Sequence, residues 1–278
     1  MSQTAASPSL PTIAFIGGGN MASAIIGGLI HQGQPTSQIE VVEPWAEARE
    51  ALRKNYGIEA QAEAGPALQR AGIVVWAVKP QTFKDAAAQA KAHTQAALHL
   101  SVAAGMRSGS IAQWLASERV VRTMPNTPAL VGKGMSALYA RPAVTAAERQ
   151  SVEAIMASTG EFLWVESEKQ LDAVTALSGS GPAYVFYFLE AMTRAGVGLG
   201  LSEAQAHQLA VGTFVGASEL ARRSDEPPAV LRERVTSKGG TTYAALQSLA
   251  KDGVDEAFMR AMQAAEQRAR ELGDEFGA

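Results

Sequence analysis

The stretch Thr12-Ile13-Ala14-Phe15-Ile16-Gly17-Gly18-Gly19-Asn20-Met21-Ala22 restricts the fold more tightly than any other part of the chain. Four consecutive apolar residues, Ile13 to Ile16, predict a short strand buried on both faces. After the three glycines, Met21, Ala22, Ile25, Ile26, Leu29 and Ile30 recur at helical spacing. Strand, glycine turn and helix in that order form the first half of a dinucleotide-binding unit. Gly17, Gly19 and Ala22 fit the G-x-G-x-x-G/A pattern: a tight turn, close approach of a pyrophosphate, and a small residue for helix packing. The helix start offers unpaired N–H groups and a positive dipole end, so Gly17, Gly18, Gly19, Asn20 and Met21 are expected around the phosphates.

A chain of 278 residues is long enough for a sizeable core and for two domains. With 47% hydrophobic and 18% charged residues it belongs to the globular class, not the disordered one. A net charge of −3 gives no basic field for nucleic acid or for an anionic membrane, so neither is expected as a partner. The absence of cysteine removes disulfides, zinc–thiolate sites and thiol nucleophiles, and fits a reducing, cytoplasmic setting. Residues 1–10 are small and polar and read as a loose tail, without the basic and apolar regions of a secretory leader. No uncharged apolar run reaches membrane-spanning length, which predicts a soluble protein.

Further along, Gln38 to Glu43 reads as a second strand ended by Pro44, followed by a helix from Trp45 to Tyr56. Gly57-Ile58 is expected to open a short third strand, and Pro66 to Arg70 a short helix. Ile73 to Val78 is the clearest buried strand, stopped by Lys79-Pro80. A helix over 82–96, a strand over 97–102, a helix around 108–117 and a strand over 119–124 continue the alternation. Gly134 to Tyr139, a helix over 145–158 and Glu161 to Val165 complete it, eight strands in all. Such alternation predicts an α/β fold, a doubly wound and mostly parallel sheet. The turns at 17–22, 43–45, 78–81 and 103–106 then share the carboxyl edge of the sheet, where ligands bind. Glu43, Ala77, Val78, Lys79, Pro80 and Ala104 thereby join the glycine turn as candidate cofactor residues.

Beyond Val165 only helical periods remain, at 168–177, 182–197, 203–223, 228–235, 242–251 and 254–273. Tyr184 to Leu189 is apolar all round a helix, as in a helix buried in a large core or against a second subunit. The chain therefore divides into a dinucleotide-binding domain over 1–167 and an all-helical, dimer-forming domain over 168–278.

Three further segments bear on chemistry. Ser178-Gly179-Ser180-Gly181-Pro182-Ala183-Tyr184 fits a helix start and equally a ligand loop. Val235-Thr236-Ser237-Lys238-Gly239-Gly240-Thr241-Thr242 sets two glycines among hydroxyl residues before a helix; it can present several N–H groups to one carboxylate, or can simply be a capped start. Arg122 to Pro128 ends a strand with two stiffening prolines and is read as structural support. His31, His93, His99 and His207 lie far from one another and from the glycine loops, so each is read as surface or core. No metal-ligand spacing and no nucleophile elbow occurs, and no metal is expected. Hydride chemistry remains, in which a cofactor supplies the reactivity and the protein the orientation.

Phe15 to Ala22, Ala77-Val78-Lys79-Pro80-Gln81, Ala103-Ala104-Gly105, Met124 to Pro128, Leu177 to Tyr184 and Val235 to Thr242 together resemble the pyrroline-5-carboxylate reductases, in the family's order and over about residues 12–273. The resemblance implies a Rossmann domain followed by an interlocking helical domain, a homodimer and often a larger ring. It also implies hydride transfer from NADPH or NADH to the imine carbon of L-Δ1-pyrroline-5-carboxylate, giving L-proline. Carried onto this chain, it implies that Ser237, Gly239, Gly240, Thr241 and Thr242 receive the substrate. Their amides would take the carboxylate, and the Thr242 hydroxyl, as catalytic group, would meet the ring nitrogen. Glu168 would line the same pocket. A cyclic imine gains electrophilicity by protonation, which solvent supplies near neutral pH, so an orienting hydroxyl suffices without a strong protein acid.

Two positions depart from the family pattern. Glu43 lies 24 positions after Gly19, where a Rossmann acid grips the ribose hydroxyls. It would repel a 2′-phosphate, and no arginine is expected to adjoin it, Arg49 lying a turn and a half into the next helix, so NADH is expected to serve at least as well as NADPH. Glu63-Ala64 stands where relatives often carry an asparagine near the adenosine. A related two-domain imine or 3-hydroxyacid dehydrogenase is the main alternative, but Ala183 to Leu201 lacks the lysine such acid dehydrogenases use. A non-catalytic nucleotide-binding regulator is disfavoured by the intact glycine turn and substrate loop.

Overall fold

The computed structural model describes residues 10–277; the expected loose tail at 1–10 falls, but for Leu10, outside them. Seven strands form one sheet: β1 (Ile13–Ile16), β2 (Ile39–Val42), β3 (Ile73–Trp76), β4 (Leu98–Ser101), β5 (Val120–Met124), β6 (Gly134–Ala140) and β7 (Gly160–Trp164). Their order is β2-β1-β3-β4-β5-β6-β7, parallel except where β6 runs against β5. The expected α/β, doubly wound and mostly parallel architecture is therefore present.

The third strand expected at Gly57-Ile58 does not form. Gly57 instead ends the helix α2 (Ala46–Tyr56) in the left-handed conformation, at φ 68°. What remains of that strand is one parallel bridge between Val42 and Gln61. Counting the bridge as the missing strand restores the doubly wound order, in which the succession of strands across the sheet reverses at β1 while the strands stay parallel. The antiparallel β5–β6 pair also has a local cause. A single 3-10 turn over Thr127–Val131, opened by Pro128, joins the strands, and a connection without a crossover helix can only return antiparallel. By contrast β6 and β7 are linked through α5 (Ala146–Ala157) and are parallel. Reciprocal bonds between Thr145 and Glu148 cap the start of α5.

Alternation along the strands sends side chains to two cores. On one face Ile13 and Phe15 pack with Ile25, Ile26 and Leu29 of α1 (Asn20–His31), Leu52 of α2, and Val152 and Ile155 of α5. On the other, Ala14, Ile16, Val74 and Trp76 meet Phe83 and Ala87 of α3 (Pro80–Ala90) and Ile111 and Leu115 of α4 (Ser108–Leu115). Helices on both faces explain why the central strands read as unbroken apolar runs. His99 of β4 is a core residue: it is 1% exposed and accepts the Trp76 indole N–H on Nδ1 at 3.2 Å. Burial, with the Arg119 charge adding to it, pushes its pKa down to about 4, so it packs as the neutral ring.

After β7 come α6 (Gln170–Val174), a π-helical turn over Thr175–Gly179, α7 (Gly181–Gly198), α8 (Glu203–Arg223), α9 (Pro228–Arg234), α10 (Thr241–Lys251) and α11 (Val254–Phe276). The chain forms two compact units, one of Gly181–Ala264 and one of the described residues to Ser180 together with those from Ala265 on. Sequence periodicity placed the division at 167/168. The short α6 and the π turn, though helical, have buried residues (Leu171, Asp172, Ala176), and α6 packs on β5 and β6 and on the π turn that follows it, so they count with the sheet. Within the smaller unit α7 and α8 pack side by side, and Tyr184 and Phe188 close on Phe258 of α11. No helix among the described residues is long and apolar enough to cross a membrane.

Candidate active site

Register places the ends of β1 to β4 side by side, with Ile16 opposite Val42 and Trp76, and Trp76 opposite Ser101. The turns that leave these ends therefore share one edge. Gly17 sits at φ 97° and its N–H donates to the Val42 carbonyl at 2.8 Å. A Cβ there would lie 2.6 Å from the Ala77 carbonyl oxygen and 3.2 Å from Val78 Cγ1, so only glycine fits between the neighbouring strand ends. Gly18 is buried as well, its N–H donating to Glu43 Oε2 at 2.7 Å. Gly19 differs from both. It is exposed, has an ordinary φ of −73°, and a Cβ would meet nothing within 4 Å.

This third glycine caps α1 with no side-chain hydrogen bond, so the first-turn N–H groups from Asn20 and Met21 onward face an open approach. Donors with that approach, at the positive end of a buried helix, suit a pyrophosphate. The residues present thus fit the adenine-dinucleotide cofactor that the sequence pattern implies.

Glu43 ends β2 and is 5% exposed. Its Oε2 holds the Gly18 N–H, and its Oε1 accepts the Trp45 N–H at 2.9 Å. The expectation that no arginine adjoins this acid is corrected. Because α2 starts at Ala46, Arg49 lies in its first turn, and its Nη1 donates to the carbonyls of Glu43 (2.9 Å) and Pro44 (2.7 Å). At the end of β3, the Ala77 N–H donates to the Ile16 carbonyl at 2.8 Å. Lys79 is the extended cap of α3 and Pro80 its first residue, a position where a missing N–H costs nothing. Ala77, Val78 and Pro80 are half-buried and Lys79 exposed. Ala104 is half-buried in the next turn along the edge, beside Gly105 at φ 71°.

Glu168 has committed partners. Its carboxylate accepts the Ser108 N–H (2.5 Å), the Ser108 hydroxyl (2.7 Å) and Arg122 Nη1 (2.6 Å). It thereby caps α4 from a distance and neutralises Arg122, which is 5% exposed in the middle of β5. Burial pushes the Glu168 pKa up, but the Arg122 charge and the Ser108 donors outweigh it and hold the group below the usual carboxylate value. Burial draws the Arg122 pKa down, opposed by Glu168. Beside this pair, Arg107 Nη1 binds both oxygens of Asp172, at 3.0 and 2.9 Å.

Sequence reasoning missed Ser108, Arg107 and Asp172, and gave Arg122 no partner. A usable signal was present: an arginine inside an apolar strand requires an acid. Asn126 was also missed as a tie. Its Oδ1 accepts the Met135 N–H at 2.9 Å and its Nδ2 donates to the Ser178 carbonyl at 3.1 Å. Arg122 to Pro128 thus acts as structural support. Ser178 to Pro182 is more than a capped start, because Ser180 N–H closes a π turn onto Thr175 at 2.8 Å before α7 begins.

In the smaller unit, Ser237 to Thr242 forms the turn into α10. Gly239 is at φ 75° with open space around it, and the Gly240 N–H donates to the Ser237 carbonyl at 3.0 Å. Gly240 caps α10 in an extended conformation with no side-chain bond, so the N–H groups that follow, including Thr241 and Thr242, lack a side-chain cap. Thr242 is half-buried while Ser237, Gly239 and Thr241 are exposed. Lys238 and Tyr243 line an open groove of about 750 Å³ with Phe188 and Phe258. The expected cofactor residues and Glu168 thus lie in the larger unit, and the expected substrate loop lies together in the smaller one. Among the described residues no cluster of three or more His, Cys, Asp or Glu could hold a metal.

A family model described as pyrroline-5-carboxylate reductase dimerisation matches residues 168–272, and one described as NADP oxidoreductase coenzyme F420-dependent matches residues 12–105. The chain is 45% identical over 271 residues to the pyrroline-5-carboxylate reductase of Pseudomonas aeruginosa, spanning 97% of this chain and 99% of that relative. Among solved structures, a pyrroline-5-carboxylate reductase from Coxiella burnetii aligns with a TM-score of 0.87 at 36% identity, over 95% of this chain and 98% of that one. The Plasmodium falciparum pyrroline carboxylate reductase with NADP bound gives 0.86 at 30% identity, over 95% and 99%. Sequence likeness along nearly the whole length and the shared fold agree: the chain belongs to the pyrroline-5-carboxylate reductase family.

Proposed function

We propose that this chain reduces the C=N bond of L-Δ1-pyrroline-5-carboxylate with NAD(P)H, giving L-proline as the last step of a cytoplasmic proline synthesis. The observation that carries this reading is 45% identity, over 97% of the chain, to a reductase of that name. The reduced nicotinamide, when bound, supplies the hydride. The chain's own task is to hold two ligands. Gly19, Asn20 and Met21 receive the pyrophosphate at the start of α1. The start of α10, which no side chain caps, takes the substrate carboxylate on the N–H groups that follow Gly240, at Thr241 and Thr242, by the same physics. The Thr242 hydroxyl, able to donate or accept, orients the ring nitrogen and relays its proton.

Glu168 acts by position. Its carboxylate, engaged by Ser108 and Arg122, is held ionised and does not serve as a proton donor. The family's dimerisation domain gives a homodimer through the helical region. Assembly of dimers into a ring is part of the same proposal, read out by mass in solution.

The test is a steady-state assay with the imine. Thr242→Ala is expected to lower kcat about 10–100-fold, with Thr242→Ser recovering most of it. Wild-type kcat and KM in Thr242→Ala would remove Thr242 from the mechanism. Absence of NAD(P)H oxidation by the wild type on adding the imine would remove the activity itself.

A further inference from the structure

A buried carboxylate and a half-buried guanidinium both stand at the end of β2, each with its own backbone partners. The Glu43 carboxylate is buried, and each oxygen holds one backbone N–H, from Gly18 and from Trp45. It clamps the glycine turn to the turn after β2, and its charge is balanced by N–H dipoles within the protein. Arg49 is half-buried above the same turn. Its Nη1 is anchored on the carbonyls of Glu43 and Pro44. A guanidinium carries five N–H donors in a rigid fork, and among the described residues no hydrogen bond engages Nε or Nη2 of Arg49. Arg53, one turn further along α2, is different: Glu50 takes its Nε at 2.9 Å and its Nη2 at 2.7 Å.

The end of the second strand is where a nucleotide fold holds the adenosine ribose, and an arginine nearby is what accommodates a 2′-phosphate. We propose that Arg49 reads the 2′-phosphate of NADP(H), so that the chain binds this cofactor with Glu43 in place, while Glu43 positions the glycine turn for either cofactor. The assignment rests on the nicotinamide-cofactor reading above. It also alters the cofactor expectation drawn from sequence, since a compensating cation, Arg49, is hydrogen-bonded to the carbonyl of Glu43 itself.

Calorimetric titration of the intact protein with NADP+ and NAD+, which differ only in the 2′-phosphate, tests it without turnover. Arg49→Met is expected to weaken NADP+ about 10–100-fold, the range for a hydrogen bond to a charged group, and to change NAD+ less than about twofold. Arg49→Lys should recover part of the loss, and Arg53→Met should leave both affinities unchanged. Thermal unfolding of each variant, expected at the wild-type midpoint, separates loss of the contact from loss of the fold. Equal weakening of both nucleotides in Arg49→Met would make Arg49 a support of the loop and overturn the assignment; so would unchanged NADP+ binding. A wild type that binds NAD+ and not NADP+ overturns the assignment alone. One that binds neither nucleotide overturns the cofactor reading beneath it.

Discussion

At the scale of single residues, three adjacent glycines have three different reasons to be glycine. Gly17 needs its positive φ and has a carbonyl oxygen where a side chain would begin. Gly18 is hemmed in by Leu52, whose Cδ1 would lie 2.7 Å from a Cβ. Gly19 has nothing in the protein within 4 Å of a Cβ, and the proposed approach of the cofactor phosphates is what would use that space. Gly17→Ala and Gly19→Ala should therefore fail differently. The first should lose about 1–3 kcal/mol of stability to backbone strain, together with nucleotide affinity. The second should unfold at the wild-type midpoint and still bind NADP+ about tenfold more weakly, because a methyl group stands in the approach to the helix start. Thermal unfolding and calorimetric titration of the two variants separate these outcomes. The spacing of the glycines was legible in the sequence; which of them serves the fold and which the ligand was not, since that depends on Ala77, Val78 and Leu52 arriving from elsewhere in the chain.

At the scale of elements, ion pairs join pieces that the sequence keeps apart. Glu168 links the start of α4 to the centre of β5 through Ser108 and Arg122. Removing one partner leaves the other buried and uncompensated, so Glu168→Gln is expected to lose on the order of 3 kcal/mol in urea unfolding. Arg122→Met combined with Glu168→Leu should lose less than that single change, since it leaves no charge behind. The pH dependence has a definite sign. A carboxylate whose folded pKa lies below its unfolded value contributes stability that is full above about 4.5 and is lost as pH falls through the folded value. Glu168→Gln should remove that part of the acid destabilisation, and an unchanged slope between wild type and variant would contradict the pairing. Element boundaries were largely legible, because apolar runs and helical spacing are local. The third strand was not: Gly57 ends α2 in the left-handed conformation, and one bridge at Gln61 is all that pairs.

At the scale of the whole molecule, the helical unit leaves large apolar side chains uncovered in a single chain. Phe186 is 58% exposed, Tyr187 65% and Leu220 69%. Patches of that kind mark association surfaces, and this region matches the family's dimerisation domain. Phe186→Glu together with Leu220→Glu is expected to shift the protein toward monomer in sedimentation analysis, with activity falling at the dilutions where monomer dominates. A double variant that sediments as the wild type would place the interface on another face. The all-apolar helix at Tyr184 to Leu189 had indicated either a large core or a second subunit, and in one chain its exposed residues favour the subunit.

The sequence by itself determined the doubly wound sheet, the glycine turn at its edge, the helical second half and, through motifs in order, the family. These follow from periodicity and from short-range backbone demands, both of which are written locally. Tertiary structure alone decided the partners: Arg49 on the carbonyls of Glu43 and Pro44, Glu168 on Ser108 and Arg122, and Asn126 between Met135 and Ser178. The reason is physical. A hydrogen bond or ion pair acts over about 3 Å, and which side chains come that close depends on how distant strands and helices pack.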